Sequence, residues 1–174
     1  YPAPVGSRVL SRVDVPDTAL LPARYPALRE LEVRAGLEVP LAHRGLGWLG
    51  ALVRLGLLRD LERHAVAARA AASLLDRWGT DTGAMHVRVV GADAAGRRRS
   101  RLWTVVATAG DGPRIPGIAA VILTRRLLGL AGPPLTTRGA MPAVGLVSLA
   151  EFESAWRGYS LSASVVDEAP SAGR

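Results

Sequence analysis

Two alternating segments carry the side chains best suited to acid–base and anion-binding chemistry. Residues 30–39 and 85–90 each alternate in the period of a strand, with charged or polar groups on one face. If both strands belong to one sheet, its wet face carries Glu32, Arg34, Glu38, His86 and Arg88. The commoner outcome is a solvated sheet face. The alternative is a substrate-binding wall, with His86 as acid or base and Arg34 or Arg88 holding a carboxylate.

A second candidate group lies in the loop at residues 110–114. Asp111 and Arg114 precede a predicted helix that begins near Pro116. The free N–H groups of a helix N-terminus favour an anion, so this loop can contact a cofactor phosphate or a substrate carboxylate. The commoner role of such an aspartate is to cap the helix.

Gly45, Gly47 and Gly50 match the G-x-G-x-x-G pattern of dinucleotide-binding turns. A fingerprint strand is normally apolar throughout, whereas the preceding segment alternates with charge and stops at Pro40. The ribose-binding acid normally ends a second strand, whereas Glu62 stands at the start of a predicted helix. In a chain with 19 glycines a chance match is common. We therefore expect no cofactor-binding residues here.

Several other catalytic chemistries lack their residues. The chain has no cysteine, which excludes disulfides, Cys-ligated metals and a Cys nucleophile. Its three histidines, His43, His64 and His86, do not have metal-ligand spacing, and no G-x-S-x-G is present. We expect no metal site and no hydrolase nucleophile.

The predicted elements alternate helices with short, one-sided strands. Prolines favour an extended segment over residues 1–27, with a short strand at 9–13. Asp60 is predicted to cap a helix that ends at Gly79, and residues 93–96 to turn a hairpin. Ser148 and Glu151 form a capping-box pattern. The remaining predictions are strand 30–39, buried helix 44–58, return strand 102–108, helix 116–128, strand 144–147, a helix to about 158 and strand 161–166.

This order predicts an α+β fold, a mostly antiparallel or mixed sheet with helices packed on its dry face. A length of 174 residues suits a single domain over 1–174, with a frayed tail at 167–174. The longest apolar stretch, 45–58, contains Arg54 and is too short for a membrane span. We expect a soluble cytoplasmic protein with no membrane partner.

The net charge of +7 comes from 22 cationic residues, all of them arginine. The arginines are spread along the chain, and only residues 97–101 are densely basic. A nucleic-acid surface would cluster them on one face with aromatic residues between them. We therefore expect no nucleic-acid partner, and keep a basic nucleic-acid binder as the least favoured alternative.

Seven short stretches, taken in order, resemble the bacterial saccharopine dehydrogenase-like oxidoreductases. They cover the chain from about residue 8 to about residue 157. The stretches are 12–17 (RVDVPD), 33–38 (VRAGLE), 79–85 (GTDTGAM), 101–104 (RLWT), 109–113 (AGDGP), 115–116 (IP) and 145–149 (GLVSL).

The resemblance implies a particular place in a larger enzyme. Members of the family carry an N-terminal Rossmann domain that binds NAD or NADP, followed by an α+β domain that covers the cofactor cleft and often dimerises. The chain resembles only this second domain, and a start at Tyr1 without Met suggests a fragment. The expected partners are therefore a Rossmann domain of the same polypeptide and a second copy, with no dehydrogenase activity of the chain alone. The alternative is a non-catalytic assembly module that dimerises through the apolar helix 44–58.

Overall fold

The computed structural model describes residues 1–136 and 139–168. Within these ranges it contains five α-helices and two antiparallel sheets, which confirms the predicted α+β class. The residues form two compact units. We call Gly6–Thr80 the helical unit, and Tyr1–Val5 together with the residues from Asp81 onward the sheet unit. That the chain is a single domain stays a prediction.

The elements are named in chain order. The helical unit contains β1 (Ser11–Arg12), α1 (Asp17–Arg24), β2 (Arg34–Ala35), α2 (Pro40–Arg54) and α3 (Ala65–Ser73). The sheet unit contains β3 (Gly83–Ala92), β4 (Arg98–Ala107), α4 (Ile115–Leu127), α5 (Leu149–Ala155) and β5 (Leu161–Glu168). Short 3₁₀ turns cover Leu61–His64, Asp76–Trp78 and Gly112–Arg114.

The strand predicted over 30–39 is much shorter in the structure. Only β2 pairs with β1, over two residues of each strand. Pro40 opens α2 because its fixed φ and missing N–H suit the first turn of a helix. Glu38 does not pair with β1. Its carboxylate instead accepts hydrogen bonds from the Thr80 backbone N–H (2.6 Å), the Thr80 hydroxyl (2.8 Å) and Arg8 (2.8 Å). Alternation alone therefore overestimated the strand.

Three predictions about the helical unit are wrong. The N-terminal segment is not extended throughout, because α1 forms over Asp17–Arg24 even though it contains Pro22. The helix α2 begins four residues before the predicted start and ends before Gly56, whose φ of +72° suits glycine. Asp60 adopts φ +55° and makes no side-chain hydrogen bond to the helix that it was predicted to cap. The predicted helix is divided into a 3₁₀ turn at Leu61–His64 and α3, which ends at Ser73.

The sheet unit is built on three antiparallel strands in the order β3–β4–β5. The predicted hairpin turn is confirmed, since the Asp93 carboxylate accepts bonds from the backbone N–H groups of Ala95 and Arg97, each at 3.0 Å. The last strand runs to Glu168, so residues 167 and 168 belong to the sheet and not to a frayed tail. The rest of that predicted tail, 169–174, lies outside the described residues.

One face of this sheet packs against α4 and α5. Val105, near the C-terminal end of β4, is fully buried, and Ile118 of α4 and Trp156, just after α5, pack against it. The Trp156 ring lies 6.4 Å from Trp103 in a stacked arrangement and 5.5 Å from Phe152 in an edge contact. Aromatic pairs of this geometry add to the stability that burial supplies. Helices packed on one sheet face are therefore confirmed.

A buried arginine fixes the segment between these helices. Arg126 is 7% exposed, and its guanidinium donates to the Leu146 carbonyl at 2.7 Å and to the Glu151 carboxylate. The Leu146 carbonyl accepts this side-chain bond and no sheet bond, and the strand predicted over 144–147 does not form. The capping box is confirmed, because Ser148 donates its backbone N–H to Glu151 (3.0 Å) and accepts from the Glu151 N–H (3.3 Å).

Within the described residues, no helix combines the length and apolar character that crossing a bilayer requires.

Replacing Trp156 by Ala is expected to lower the free energy of unfolding of the sheet unit by about 3–5 kcal/mol, because the cavity forms at the centre of its core. The measurement is urea unfolding followed by circular dichroism. Trp78→Ala is the control, since Trp78 is 56% exposed, and its cost is expected to stay under about 1 kcal/mol. Equal losses in both variants would contradict the assignment of the core.

The pH dependence of stability is expected to include a contribution from Glu151. Backbone and side-chain hydrogen bonds from Ser148, together with the Arg126 guanidinium, lower the pKa of Glu151 from its ordinary 4.5 to about 2. Its stabilising contribution is therefore complete above pH 4.5 and is lost as the pH falls towards about 2. Glu151→Gln is expected to flatten the stability profile in that range, measured as Tm against pH. Glu62→Gln, which changes an exposed carboxylate, is the control that should leave the profile unchanged.

Candidate functional site

The structure divides the five charged residues that were predicted to share one wet face. Glu32, Arg34 and Glu38 lie in or beside β2 of the two-stranded sheet, while His86 and Arg88 lie on β3 of the three-stranded sheet. The condition that both segments belong to one sheet is not met, because β2 pairs only with β1. The candidate groups must therefore be described in two separate places.

His86 and Arg88 lie on the face of the three-stranded sheet opposite α4 and α5. Residues directly paired on neighbouring antiparallel strands share a face, and His86 is paired with Thr104, which is paired in turn with Ser164. The helix-packed face carries the alternate positions, including Val105. We call the first face the polar face. Its polar members are His86, Arg88, Arg98, Ser100, Thr104, Ser162, Ser164 and Glu168.

His86 lies in a setting that favours its neutral form. The ring of Tyr1 lies 4.9 Å from the imidazole. Partial burial, followed by the positive charges of Arg88 and of the N-terminal ammonium, lowers the pKa of His86 below its ordinary 6.5, and Glu168 opposes this shift. A neutral imidazole has a free lone pair, so it can accept a proton or a hydrogen bond at neutral pH. His86 is therefore suited to act as a base.

Arg88 is held by a carboxylate that the sequence reading missed. Its Nε lies 3.0 Å and its Nη2 3.2 Å from the two oxygens of Glu168, and the Ser100 hydroxyl donates to the same carboxylate at 3.3 Å. This is the two-pronged geometry of strong arginine–carboxylate pairs. The Arg88 side chain remains 52% exposed, so the rest of its guanidinium is open to a second anion. The alternation of residues 161–165, continued by three residues, was the available signal for Glu168.

Asp111 and Arg114 are brought together, but they act first within the fold. The Asp111 carboxylate accepts from the Arg114 Nε at 2.8 Å and from the Ser160 backbone N–H at 2.7 Å. The Ser160 N–H and the Arg114 guanidinium lower the pKa of Asp111. The Arg114 guanidinium lies 5.2 Å from the centre of the Tyr159 ring. Asp111 does not cap the helix, contrary to the commoner reading, and instead fixes the segment that leads into β5.

Arg34 lies on β2 beside another acidic partner. Its Nη2 is 2.8 Å from Glu32, whose other carboxylate oxygen accepts from Arg12. The hydrogen bonds from Arg34 and Arg12 lower the pKa of Glu32. The Arg34 side chain is 52% exposed. Arg34 is therefore a surface cation with one satisfied pair, in a different sheet from His86.

The glycines at 45, 47 and 50 do not form a dinucleotide-binding turn. All three lie inside α2, which begins at Pro40. Within a helix each amide N–H bonds to a carbonyl one turn earlier, so these amides do not point together at a pyrophosphate. This segment does not fit NAD or NADP. In the described part of the chain, no group of three or more His, Asp or Glu side chains is placed to hold a metal ion.

Comparison with protein-family models, with curated proteins and with solved structures gives no match to this chain. The resemblance to saccharopine dehydrogenase-like oxidoreductases therefore stays a prediction.

The titration of His86 tests the polar face directly. Arg88→Gln is expected to raise the pKa of His86 towards 6.5, because it removes the positive charge that lowers it. Glu168→Gln is expected to lower the pKa further. The measurement is the imidazole C–H chemical shift against pH, with the signal assigned through His86→Asn.

The control is Arg101→Gln, since Arg101 is paired with Val89 and lies on the helix-packed face. Opposite signs for Arg88→Gln and Glu168→Gln, with no change for Arg101→Gln, support the geometry. Unchanged titration in all three variants contradicts it.

Proposed function

We propose that the chain is the C-terminal substrate-binding and dimerisation domain of a cytoplasmic NAD(P)-dependent oxidoreductase of the saccharopine dehydrogenase-like kind. The observation that carries this proposal is the pair His86 and Arg88 on one sheet face. The partial burial and the adjacent cation that lower the pKa of His86 support a role for it as a base. The dinucleotide is held by a Rossmann domain outside this chain.

The chemistry assigned to the polar face is proton transfer and carboxylate binding. A substrate that is oxidised at a hydroxyl- or amine-bearing carbon also loses the proton of that group, and the neutral Nδ1 or Nε2 of His86 would accept this proton. Arg88, positioned by Glu168, binds a substrate carboxylate through its exposed guanidinium edge. The nicotinamide, when bound, supplies the hydride acceptor. Arg34, Asp111 and Arg114 are secondary candidates for substrate contact, with both arginines at least half exposed.

A second candidate function is a non-catalytic, dimerising module. The observation that favours it is α2, in which the structure buries no residue and leaves Trp48 74% exposed. Large apolar side chains in a contiguous exposed patch mark interaction surfaces. The two candidates differ in whether a nicotinamide-binding domain belongs to the same polypeptide.

The discriminating experiment is a fluorescence titration of NADH and NADPH against this chain and against the longer polypeptide encoded by its gene. We expect binding to the longer polypeptide and none to the chain alone. A reading frame with no G-x-G-x-x-G strand–turn–helix upstream of Tyr1, or a longer polypeptide that binds neither nucleotide, would contradict the oxidoreductase assignment and favour the assembly module.

The role of the polar face is tested by the accessibility of His86 in the same longer polypeptide. If this face lines the cofactor cleft, bound NAD(P)H is expected to slow diethyl pyrocarbonate modification of His86 about tenfold or more, since burial removes the reagent's access. His64, in a 3₁₀ turn of the helical unit, is the internal control and should react at an unchanged rate. Mass spectrometry of the modified peptides gives both rates. Equal protection of the two histidines, or protection of neither, would place the cleft elsewhere.

A further inference from the structure

The exposed side of α2 carries a regular apolar row. Positions 41, 45, 48, 52 and 55 follow one another at intervals of four and three residues, which brings them onto one side of a helix. They are Leu41, Gly45, Trp48, Leu52 and Leu55, and we call this row the α2 seam. Four of them are large and exposed, at 64%, 74%, 39% and 70% for Leu41, Trp48, Leu52 and Leu55. Leu41, Trp48 and Leu55 are therefore mostly exposed, while Leu52 is partly covered.

Spacing of this kind selects another helix as the partner. Apolar residues repeating in steps of four and three are the a and d positions of a heptad, whose side chains insert between those of a facing helix. In this frame Gly45 and Leu52 are a positions, and Leu41, Trp48 and Leu55 are d positions. The 15 residues of α2 give about 22 Å of contact at 1.5 Å per residue. A flat sheet or a loop would not use this repeat.

We propose that the α2 seam binds the α2 seam of a second copy of this chain, with the two helices antiparallel. The argument is size complementarity under a two-fold axis. A Cβ built on Gly45 meets nothing within 4 Å, so an open space lies one turn from the most exposed tryptophan of the chain. In an antiparallel pair, a positions face d positions. When Trp48 covers the second copy's Gly45, Leu41 meets the second copy's Leu52.

A parallel pair would lose this fit. A parallel pair places a positions against a positions and d positions against d positions. The Trp48 side chains of the two copies would then face each other, and the two Gly45 residues would leave a gap between the helices. The charges favour the same choice. α2 carries Arg44 and Arg54 and no acidic residue. The antiparallel register sets Arg44 beside the small Ala51 and holds the two copies of Arg54 at opposite ends, whereas a parallel pair aligns like charges along its length.

This proposal gives a geometry to the dimerisation part of the proposed function. It rests on that part and not on the oxidoreductase assignment. The first experiment is sedimentation equilibrium of the full 174-residue chain, without nucleotide. We expect a concentration-dependent species of twice the 18.3 kDa chain mass. Trp48→Asp is expected to raise the dimer dissociation constant more than about tenfold, since a central tryptophan anchor is lost and a charge enters an apolar contact.

Two matched variants separate the seam from helix stability. Leu46→Asp introduces the same charge in the same helix at a side chain 55% exposed, but off the seam, and is expected to leave the dissociation constant within about twofold. Gly45→Leu fills the space that receives Trp48 and is expected to weaken the dimer, although leucine stabilises a helix relative to glycine. A stronger dimer in Gly45→Leu would overturn the proposed register.

Cross-linking tests the direction of the helices, because the chain has no cysteine of its own. Leu41→Cys and Leu52→Cys variants, mixed and treated with a short bis-maleimide, are expected to cross-link with each other. Leu41→Cys alone is expected not to cross-link, since 11 residues separate the positions along the helix, about 16 Å. Cross-linking of Leu41→Cys with itself would show a parallel pair and overturn the proposal.

A chain that stays monomeric at all concentrations also overturns the proposal, as does a dimer insensitive to Trp48→Asp. Failure of the longer polypeptide to bind NAD(P)H would reject the oxidoreductase assignment and would leave these measurements unchanged. The two failures are therefore distinguishable.

Discussion

The sheet unit depends on the packing of Trp156 against Val105 and Trp103. This contact brings α4 and α5 onto one face of three antiparallel strands, and it accounts for the deepest burial in the unit. Because a strand alternates its side chains, a residue two places from Trp103 or Val105 lies on the packed face and a residue one place away lies on the other. The same alternation places His86 and Arg88, on the neighbouring strand, on the polar face, where Thr104 and Val106 of β4 are also buried.

The second constraint is the buried guanidinium of Arg126. A buried charge is stable only when it is paired and its donors are bonded, and Arg126 meets this requirement through Glu151 and the Leu146 carbonyl. Glu151 at the same time completes the capping box with Ser148. One carboxylate thus links the C-terminal end of α4, the following loop and the start of α5. Glu168 has a comparable position on the polar face, where it orients Arg88.

Local chemistry was predictable from the sequence where few residues decide the outcome. The Asp93–Gly96 turn, the capping box at Ser148 and the hairpin strands depend on neighbours within a few positions, and all three were predicted. The strand over 30–39 was overestimated, because Glu38 binds Thr80 at a separation of 42 residues, which no local pattern contains. Glu168 was missed for a similar reason, since its partner Arg88 lies 80 residues away. Sequence reasoning therefore found only part of the candidate site, since it predicted His86 and Arg88 but not Glu168, the carboxylate that pairs with Arg88.

The three glycines of α2 show how one string of letters supports two different chemistries. In a strand-to-helix turn, their amides would be free to bind phosphate, and the missing side chains would let a dinucleotide approach. Inside a helix that begins at Pro40, the amide N–H groups form the hydrogen bonds of the helix and are not available to a phosphate. The feature that still distinguishes these positions is the absence of a side chain. What an absent Cβ then offers is space on the helix surface. Because Gly45 falls in the apolar row that contains Trp48, the open space beside it is where the Trp48 of the second copy would lie in the proposed dimer.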